Sequence, residues 1–557
     1  MRVNREERGV LDGLRGLERR DFLRAAALAV TAGAIRPDTL FAERPALQDD
    51  PDFLAALAQE SEDAPPPVPL KNGEHPALVY QAYPGGTGAL YRRWHESGVD
   101  PFARHDIPIA PWEGRVPGDP DDIAFLPVAR LAALIQGRHI SSVELTELYL
   151  ERMKRYDPVL LCAVSILEGR AMEEAQQADA DLRSGGPRSP LHGIPYGVKD
   201  LFTVTGTRTT WGSADFQDQI VEQDADVVVR LREAGAVLIA KLATGEFASG
   251  DQWYRGRTRN PWNVEEGSSG SSAGPGSATA AATVAFAIGT ETQGSIVSPS
   301  RRNGLSALRP TFGRVSRFGG MVLSWSMDKA GPMCRTIEDC ALVFNEIHGA
   351  SENDPASLTA PFRFDPAADL ADYRIGFDEE APREFLDQLE SMGATLREMN
   401  PVPEGGSNSL GVESSAAFDF YVSPDGEEPE PVPDGLEPRE QRRRTRFRRG
   451  RDTRALDYVQ SQRRRLILMR EMQEAMDGFD MFVSGSGHVG LTNQTGNPAA
   501  IVQYGFGVRN PDDDTPTTMP LTTTLLGDLF ADDALLSVAH AFQKRTDWHL
   551  RRPPLDG

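Results

Sequence analysis

The stretch from Gly267 to Ser316 reads GSSGSSAGPGSATAAATVAFAIGTETQGSIVSPSRRNGLSALRPTFGRVS. Within it, the short apolar run from Thr283 to Thr290 contains β-branched residues and predicts a strand. The residues from Thr292 to Ser295 predict a tight turn that leads into a helix at Ile296. A serine beside the unpaired N–H groups and the positive dipole end of a helix is well placed for acyl transfer. The tract therefore indicates a serine hydrolase.

A second pair of hydroxyl groups lies upstream in the same tract. Ser271 and Ser272 occupy a Gly/Ser turn before the small-residue stretch Ser277 to Ala282, which is compatible with a closely packed helix. Gly270 and Gly274 permit unusual backbone angles at this turn.

A candidate base is Lys199, which ends the apolar part of LHGIPYGVKDLFTVTG and is therefore expected at a strand end. The chain has six lysines and otherwise uses arginine for positive charge. A lysine inside an apolar segment can lose its proton, whereas an arginine cannot. To be neutral near pH 7, its pKa must fall by roughly 3 units from about 10.4, and burial can supply that shift.

Seven segments extend this pattern along the chain, and in this order they resemble the amidase signature family. They are GIPYGVKDLF, KLATGEFASG, RNPWN, GSSAGPGSATAAA, GTETQGSI, LRPTFGRVS and MDKAGPMCRTIEDCA. The resemblance covers about residues 122 to 550. It implies an α/β fold in which a mixed β-sheet core is sandwiched between helices.

The resemblance also implies site residues. They are a Ser-cisSer-Lys triad of Ser295 as nucleophile, Ser271 as bridging serine and Lys199 as base, and an oxyanion hole built from the backbone N–H groups of Thr292, Gln293, Gly294 and Ser295. Ser272, Tyr458 and Asn497 are candidate substrate contacts.

Two turns depart from the commonest family pattern. Glu291 to Ser295 reads ETQGS where an acidic-x-Gly-Gly-Ser turn is usual, and Ser271 to Gly274 reads SSAG where Ser-Ser-Gly-Gly is usual. Neither change removes a catalytic atom. Gln293 adds a side chain at an expected oxyanion donor, so it bears on substrate scope rather than on reaction class.

Each candidate has an alternative. Ser295 is also a good N-cap residue, Ser271 and Ser272 also suit a flexible linker, and Lys199 also suits an ion pair with Asp200. Lys241, after the apolar run VLIA, is the second candidate base. A Ser-His-Asp triad using His192 lacks a nucleophile-elbow context, and a phosphate-binding loop lacks its Gly-Lys-Ser/Thr.

Composition limits the partners. The formal net charge of -23 argues against nucleic acid or an anionic membrane as a partner. Three cysteines give neither a disulfide framework nor zinc-ligand spacing, although Cys334 and Cys340 allow a single pairing. We expect no metal and no cofactor. The expected partners are a small-molecule amide and a second copy of the chain in a homodimer.

The chain divides into three predicted parts. Residues 1–42 resemble a twin-arginine export signal, because Arg19 and Arg20 precede a short apolar run that is too short for a stable membrane anchor; an ordinary N-terminal helix is the alternative. Residues 43–121 form an extension without a motif. Residues 122–550 form the amidase signature domain, and within it residues 350–480 are expected to be more variable, more helical and pocket-lining.

Three hypotheses on function follow. The first is an amidase, exported to the periplasm or secreted, that cleaves a linear amide to acid and amine or ammonia through an acyl-enzyme on Ser295. The second is a cytoplasmic ligase component similar to the A subunit of the tRNA-dependent amidotransferase, which takes ammonia from glutamine. The third is a non-catalytic binding protein that retains the fold.

Overall fold

The computed structural model describes residues 83, 86–399, 402–404, 406, 409–423, 432, 435–436, 441, 445–509 and 517–555. All of them belong to the second of the two units into which the chain divides, Pro76–Gly557. The predicted export signal, residues 1–42, lies outside the described residues.

The described helices are distributed along the whole unit. They are α1 (Gly86–Glu96), α2 (Pro120–Ala124), α3 (Val128–Gln136), α4 (Ser142–Leu160), α5 (Glu168–Ser184), α6 (Asp226–Glu233), α7 (Ala273–Ala280), α8 (Val297–Asn303), α9 (Ile337–Ile347), α10 (Arg383–Ser391), α11 (Ser409–Ala417), α12 (Asp419–Val422), α13 (Ala455–Ala475), α14 (Val489–Thr495) and α15 (Asp532–Gln543).

The described strands form one large sheet and two short hairpins. They are β1 (Ala163–Ile166), β2 (Pro195–Lys199), β3 (Val237–Leu242), β4 (Gln252–Trp253), β5 (Gly256–Arg257), β6 (Arg259–Asn260), β7 (Asn263–Gly267), β8 (Phe286–Glu291), β9 (Ser306–Arg309), β10 (Lys329–Cys334), β11 (Arg374–Phe377), β12 (Thr395–Glu398), β13 (Met481–Ser484), β14 (Ala499–Arg509) and β15 (Thr517–Gly527).

The large sheet has eleven strands in the order β1-β3-β2-β8-β10-β9-β14-β15-β13-β11-β12. The interior strand β2 is parallel to both β3 and β8, whereas β10 runs antiparallel to β8 and β9. Strands β2 and β3 are buried along their whole length, as expected for parallel strands covered on both faces. The predicted α/β fold, a mixed sheet flanked by helices, is confirmed.

The start of the domain follows the local sequence signals closely. The Ser141 hydroxyl accepts a hydrogen bond from the Glu144 amide at 3.1 Å, and the Glu144 carboxylate accepts one from the Ser141 amide at 2.8 Å. This reciprocal pair is a capping box, and it begins α4.

Helix α7 begins earlier than the small-residue pattern indicated, at Ala273 rather than Ser277. All eight of its residues are buried. A Cβ atom at Gly274 would lie 2.3 Å from the Ala243 amide nitrogen and 2.4 Å from the Cys162 carbonyl oxygen. The helix therefore needs glycine where it crosses β3, and Pro275 is tolerated because it lies in the first turn.

The predicted helical character of residues 350–480 is only partly right. Helices α10 to α13 are present, and α13 is 21 residues long. The region also adds two parallel strands, β11 and β12, to the edge of the sheet. These strands have four residues each, and β12 is mostly exposed, so their apolar pattern is weak.

The described part of the N-terminal extension packs on the C-terminal part of the domain. The rings of Tyr83 and Trp94 each lie 6.0 Å from the ring of Phe530. Cys162, Cys334 and Cys340 are buried free thiols, so the pairing of Cys334 with Cys340 is not formed. None of the described helices has both the length and the apolar character needed to span a membrane.

Candidate active site

Lys199 is the last residue of the buried strand β2 and is itself fully buried. Its Nζ atom lies 2.8 Å from Ser271 Oγ, 3.0 Å from Ser272 Oγ and 2.8 Å from Thr290 Oγ1. Burial holds the pKa of this amine well below its ordinary value, and the charges of Asp328 and Glu291 oppose that shift only in part. The site therefore favours a neutral lysine surrounded by hydroxyl groups.

The second lysine candidate has a different environment. Lys241 Nζ lies 2.8 Å from Asp200 Oδ1 and donates to the Arg208 carbonyl and the Thr209 hydroxyl. Asp200, considered above as an ion-pair partner of Lys199, thus pairs with Lys241 instead. Lys241 therefore forms a buried ion pair with Asp200.

The serine turn before α7 lies directly beside Lys199. The peptide bond between Gly270 and Ser271 is cis. A Cβ atom at Gly270 would lie 1.9 Å from the Gly250 carbonyl oxygen, so only glycine fits there. The Ser272 amide donates to the Ser295 carbonyl at 3.2 Å, which ties this turn to the turn after β8.

Ser272 is buried, as are Lys199 and Ser271, and its role as a substrate contact stays a prediction. Its hydroxyl donates to the Thr290 carbonyl at 3.1 Å and accepts from the Thr290 amide at 3.2 Å. The side chain therefore holds the serine turn against the end of β8.

The turn from Thr292 to Ile296 joins β8 to α8 as the sequence predicted. Gly294 has a φ of 90°, and Ser295 is half-buried two residues before the helix begins. Within the described part of the chain, the main-chain N–H groups of residues 292 to 295 donate to no protein acceptor. They are therefore available to an anionic oxygen atom.

Glu291 fixes the geometry of this turn. Its Oε2 accepts from the amides of Ile296 and Val297 at 2.8 and 2.9 Å. Its Oε1 accepts from Arg309 at 3.0 Å and from Asn493 at 2.7 Å. Burial alone raises the pKa of this carboxyl, but the Arg309 charge and these hydrogen bonds lower it to about 2. Glu291 is therefore an ionised anchor at the base of the turn.

Residues 144–526 match the sequence profile of the family described as Amidase. The chain belongs to the amidase family. The A subunit of glutamyl-tRNA(Gln) amidotransferase from Marinomonas sp. (strain MWYL1) is 32% identical over 482 residues, which cover 77% of this chain and 98% of that protein.

Solved structures agree with this assignment. An amidase family protein from Bacillus anthracis str. Ames superposes with a TM-score of 0.67 at 27% identity, covering 78% of this chain and 93% of that one. The native peptide amidase from Stenotrophomonas maltophilia has a TM-score of 0.63 at 28% identity, covering 77% and 99%. The chain is thus an amidase-family enzyme that acts on carbon–nitrogen bonds.

The two predicted contacts from the C-terminal part of this amidase form hydrogen bonds with other residues than the three serines. Tyr458, on α13, is half-buried and donates to Glu413 at 3.2 Å. Asn497 is 2% exposed, and its amide donates to the Gly527 carbonyl at 2.9 Å. Asn497 therefore bonds to the end of β15, and its role as a substrate contact stays a prediction.

A cavity of about 250 Å³ beside the turn was not predicted from the sequence. Its walls come mainly from the connection between β9 and β10, which includes Met321, Leu323 and Trp325, and from Thr290 and Thr292. The signal was present in FGGMVLSWSMDK, where glycines precede large apolar residues. Of the predicted pocket-lining residues 350–480, Asn353 and Asp354 also line this cavity.

Asp328 connects this cavity to the turn. Its carboxylate accepts from the Thr292 hydroxyl at 2.6 Å and from the Leu323 and Ser324 amides at 2.8 and 2.9 Å. Burial raises the pKa of Asp328, and these hydrogen bonds oppose the shift. One carboxyl therefore sets the position of both the turn and the cavity wall.

Among the described residues, one group could hold a metal ion, formed by Asp378, Glu380 and His488. His488 Nε2 lies 2.8 Å from Asp378 Oδ2, and this hydrogen bond accounts for the approach of the two side chains. We assign no metal to it.

Proposed function

We propose that this amidase hydrolyses a linear carboxylic amide to the acid and an amine or ammonia, with Ser295 as nucleophile. The observation that carries the proposal is the 2.8 Å separation of Lys199 Nζ from Ser271 Oγ in a fully buried site whose lysine pKa is lowered.

The proton transfers follow from that arrangement. Neutral Lys199 accepts the proton of the Ser271 hydroxyl, and Ser271 accepts the proton of Ser295 as its oxygen attacks the amide carbonyl. The new bond joins Ser295 Oγ to the carbonyl carbon, and the oxyanion is received by the N–H groups of residues 292 to 295. The proton returns through Ser271 to the leaving nitrogen, and water then releases the acid.

The test is ammonia and amine release from a panel of aliphatic, aryl and amino-acid amides by the wild type and by Ser295→Ala. Ser298→Ala is the matched control, because Ser298 lies one helical turn further on and is also half-buried. We expect Ser295→Ala to lose hydrolysis and labelling by a serine-directed fluorophosphonate, and the control to keep both. Turnover by Ser295→Ala at the wild-type rate would reject the nucleophile.

A second candidate is an ammonia-supplying component of an amidotransferase. It is favoured by the 32% identity to the A subunit of glutamyl-tRNA(Gln) amidotransferase over 98% of that protein. Such a protein should release ammonia from glutamine and do so poorly without partner subunits. Efficient hydrolysis of amides unlike glutamine by the chain alone would favour the free-standing amidase.

We also propose that residues 1–42 direct export through a twin-arginine route. The support is the pair Arg19-Arg20 followed by the weakly apolar run from Ala25 to Ile35. A reporter fused after residue 42 should be exported, and replacing both arginines by lysine should retain it in the cytoplasm. Retention of the unaltered fusion would favour the cytoplasmic alternative.

A further inference from the structure

The cavity beside the turn is formed mainly by apolar side chains. Leu201 and Phe202 follow β2, Ala248 comes from the loop after β3, and Met321, Leu323 and Trp325 belong to the connection between β9 and β10. Its volume of about 250 Å³ is large enough for a phenyl ring or a medium-length alkyl chain.

The cavity is lined in part by neighbours of the reacting residues. Thr290 and Thr292 form part of its wall. Thr290 Oγ1 lies 2.8 Å from Lys199 Nζ, and Thr292 is the first residue of the turn that carries Ser295. A substrate group bound in the cavity therefore places the amide bond that carries it close to the oxyanion donors.

The charged groups at the cavity wall already have partners. Arg317 donates to Asp354 through Nε and Nη2 at 2.8 and 2.7 Å, and through Nη1 to the Trp325 carbonyl at 2.6 Å. The Asp328 carboxylate accepts hydrogen bonds from the Thr292 hydroxyl and from two main-chain amides, as described above. The Lys329 amine donates to the Met327 carbonyl, and burial holds the pKa of that amine well below its ordinary value. A charged substrate group would find no unengaged counter-charge among these residues.

The entrance is apolar as well. Trp325 is 50% exposed and Val322 is 38% exposed, although both are large hydrophobic residues that line the cavity. Exposed apolar side chains at the rim of a pocket are typical of a surface that contacts an apolar ligand.

We infer that this cavity receives an uncharged, apolar group of the substrate amide, an aryl or alkyl chain, and thereby sets the specificity of the enzyme. This inference rests on the proposed function. It differs from the glutamine expected of an amidotransferase component, since a zwitterionic amino acid brings two charges that the cavity does not pair.

Two substrate series test the inference with the full chain. One lengthens the acyl group from acetamide to hexanamide and phenylacetamide, and the other enlarges the amine from N-methyl- to N-benzylacetamide. In the series whose variable group enters the cavity, we expect kcat/KM to rise about fourfold per added methylene until the cavity is full. Phenylacetamide should exceed glutamine by at least about a hundredfold, since glutamine must bring its charges into an apolar site.

Matched variants distinguish substrate binding in the cavity from the chemical step. Ala248→Phe should fill the cavity and lower kcat/KM for the large substrates at least tenfold more than it lowers kcat/KM for acetamide. Met321→Gln is a second variant that makes the wall polar while keeping its size. Val508→Phe is the control, because Val508 is 56% exposed on β14 and does not line the cavity.

Equilibrium binding gives a readout that does not need turnover. Phenylacetamide should bind to the Ser295→Ala protein by calorimetry with a negative heat-capacity change, and Ala248→Phe should weaken binding at least tenfold. Equal binding to the Ser295→Ala protein with and without Ala248→Phe, or no binding to either, would overturn the inference.

If hydrolysis is lost in Ser295→Ala but kcat/KM is flat across both substrate series, the inference fails and the proposed function stands. If the wild type binds phenylacetamide in the cavity yet hydrolyses no amide and is not labelled, the proposed function fails instead.

Discussion

Lys199 lies among hydroxyl groups, whereas Lys241, also near the end of a buried strand, lies against a carboxylate. The two lysines look alike in the sequence, because both follow apolar runs. Only the fold decides that Asp200 faces Lys241. The sequence could therefore predict a buried lysine as the base, and the family resemblance selected Lys199. The groups that distinguish the two lysines, hydroxyls around Lys199 and a carboxylate beside Lys241, come from distant segments of the chain.

The pH dependence of hydrolysis should follow the protonation of Lys199. Because burial lowers its native pKa, the amine is neutral above that pKa and charged below it. The charged amine cannot accept the Ser271 proton, so kcat/KM should fall as the pH is lowered. A profile from pH 5 to 9 measured on one good substrate checks this, and Lys199→Ala should lose activity while keeping its circular dichroism spectrum. An activity that rises as the pH is lowered would contradict a neutral lysine base.

At the scale of the element, the strand–turn–helix unit from β8 to α8 depends on Glu291. Replacing it by glutamine leaves Arg309 buried without its counter-charge, and we expect Glu291→Gln to lower the free energy of unfolding by about 3 kcal/mol. Activity should fall as well, because the amides of Ile296 and Val297 lose a charged acceptor. Glu265→Gln, on an exposed residue of β7, is the control and should change stability by less than about 0.5 kcal/mol.

The same carboxylate gives a stability that depends on pH. Its native pKa of about 2 lies below the ordinary 4.5, so ionised Glu291 stabilises the fold above pH 4.5, and this contribution is lost as the pH falls towards 2. Urea unfolding of the wild type and Glu291→Gln from pH 7 to pH 3 should show a difference that narrows with acidity. A difference in the free energy of unfolding that stays constant over this pH range would mean that the charge of Glu291 does not stabilise the fold.

Helix α7 provides a second prediction at this scale. Gly274→Ala places a methyl group against the backbone of Ala243 and Cys162, so the helix or β3 must move. We expect a loss of about 3 kcal/mol, at the upper end of overpacking costs, or failure to fold. Gly169→Ala on α5 is the matched control, since a Cβ there meets nothing within 4 Å and should be neutral or slightly stabilising. Thermal unfolding of both variants makes the comparison, and equal melting temperatures would reject the close-approach argument.

Elements with strong local signals were predictable from the sequence, and elements defined by packing were not. The capping box of α4 and the turn after β8 are encoded by neighbouring residues. The start of α7 and the edge strands β11 and β12 depend on what they pack against. The cavity is a case of the same kind, because its wall combines residues near 200, 248, 290 and 321 that only the fold brings together.

At the scale of the whole molecule, both halves of the sheet contribute to the site. Strands β2 and β8 hold Lys199 and the turn, while Asn493 reaches Glu291 from α14 and Arg465 reaches the Ser326 carbonyl from α13. The hydrophobic core runs through the junction of the halves, with Leu308 of β9 and Ala500 of β14 in one cluster. The serine motif alone is therefore insufficient for the site, which needs the C-terminal third of the chain.

We predict that the part of the chain from Pro76 onward suffices for the chemistry. The contacts described for Lys199, Ser271, Glu291 and the cavity all lie within Pro76–Gly557, which is one compact unit. A protein beginning at Pro76 should keep kcat/KM within about twofold of the full chain and unfold at the same urea concentration. Removal of a further segment through Glu96 should cost stability, because Leu90 and Trp94 of α1 are buried and Trp94 contacts Phe530. Activity lost already in the Pro76 protein would mean that residues before Pro76 take part in the site.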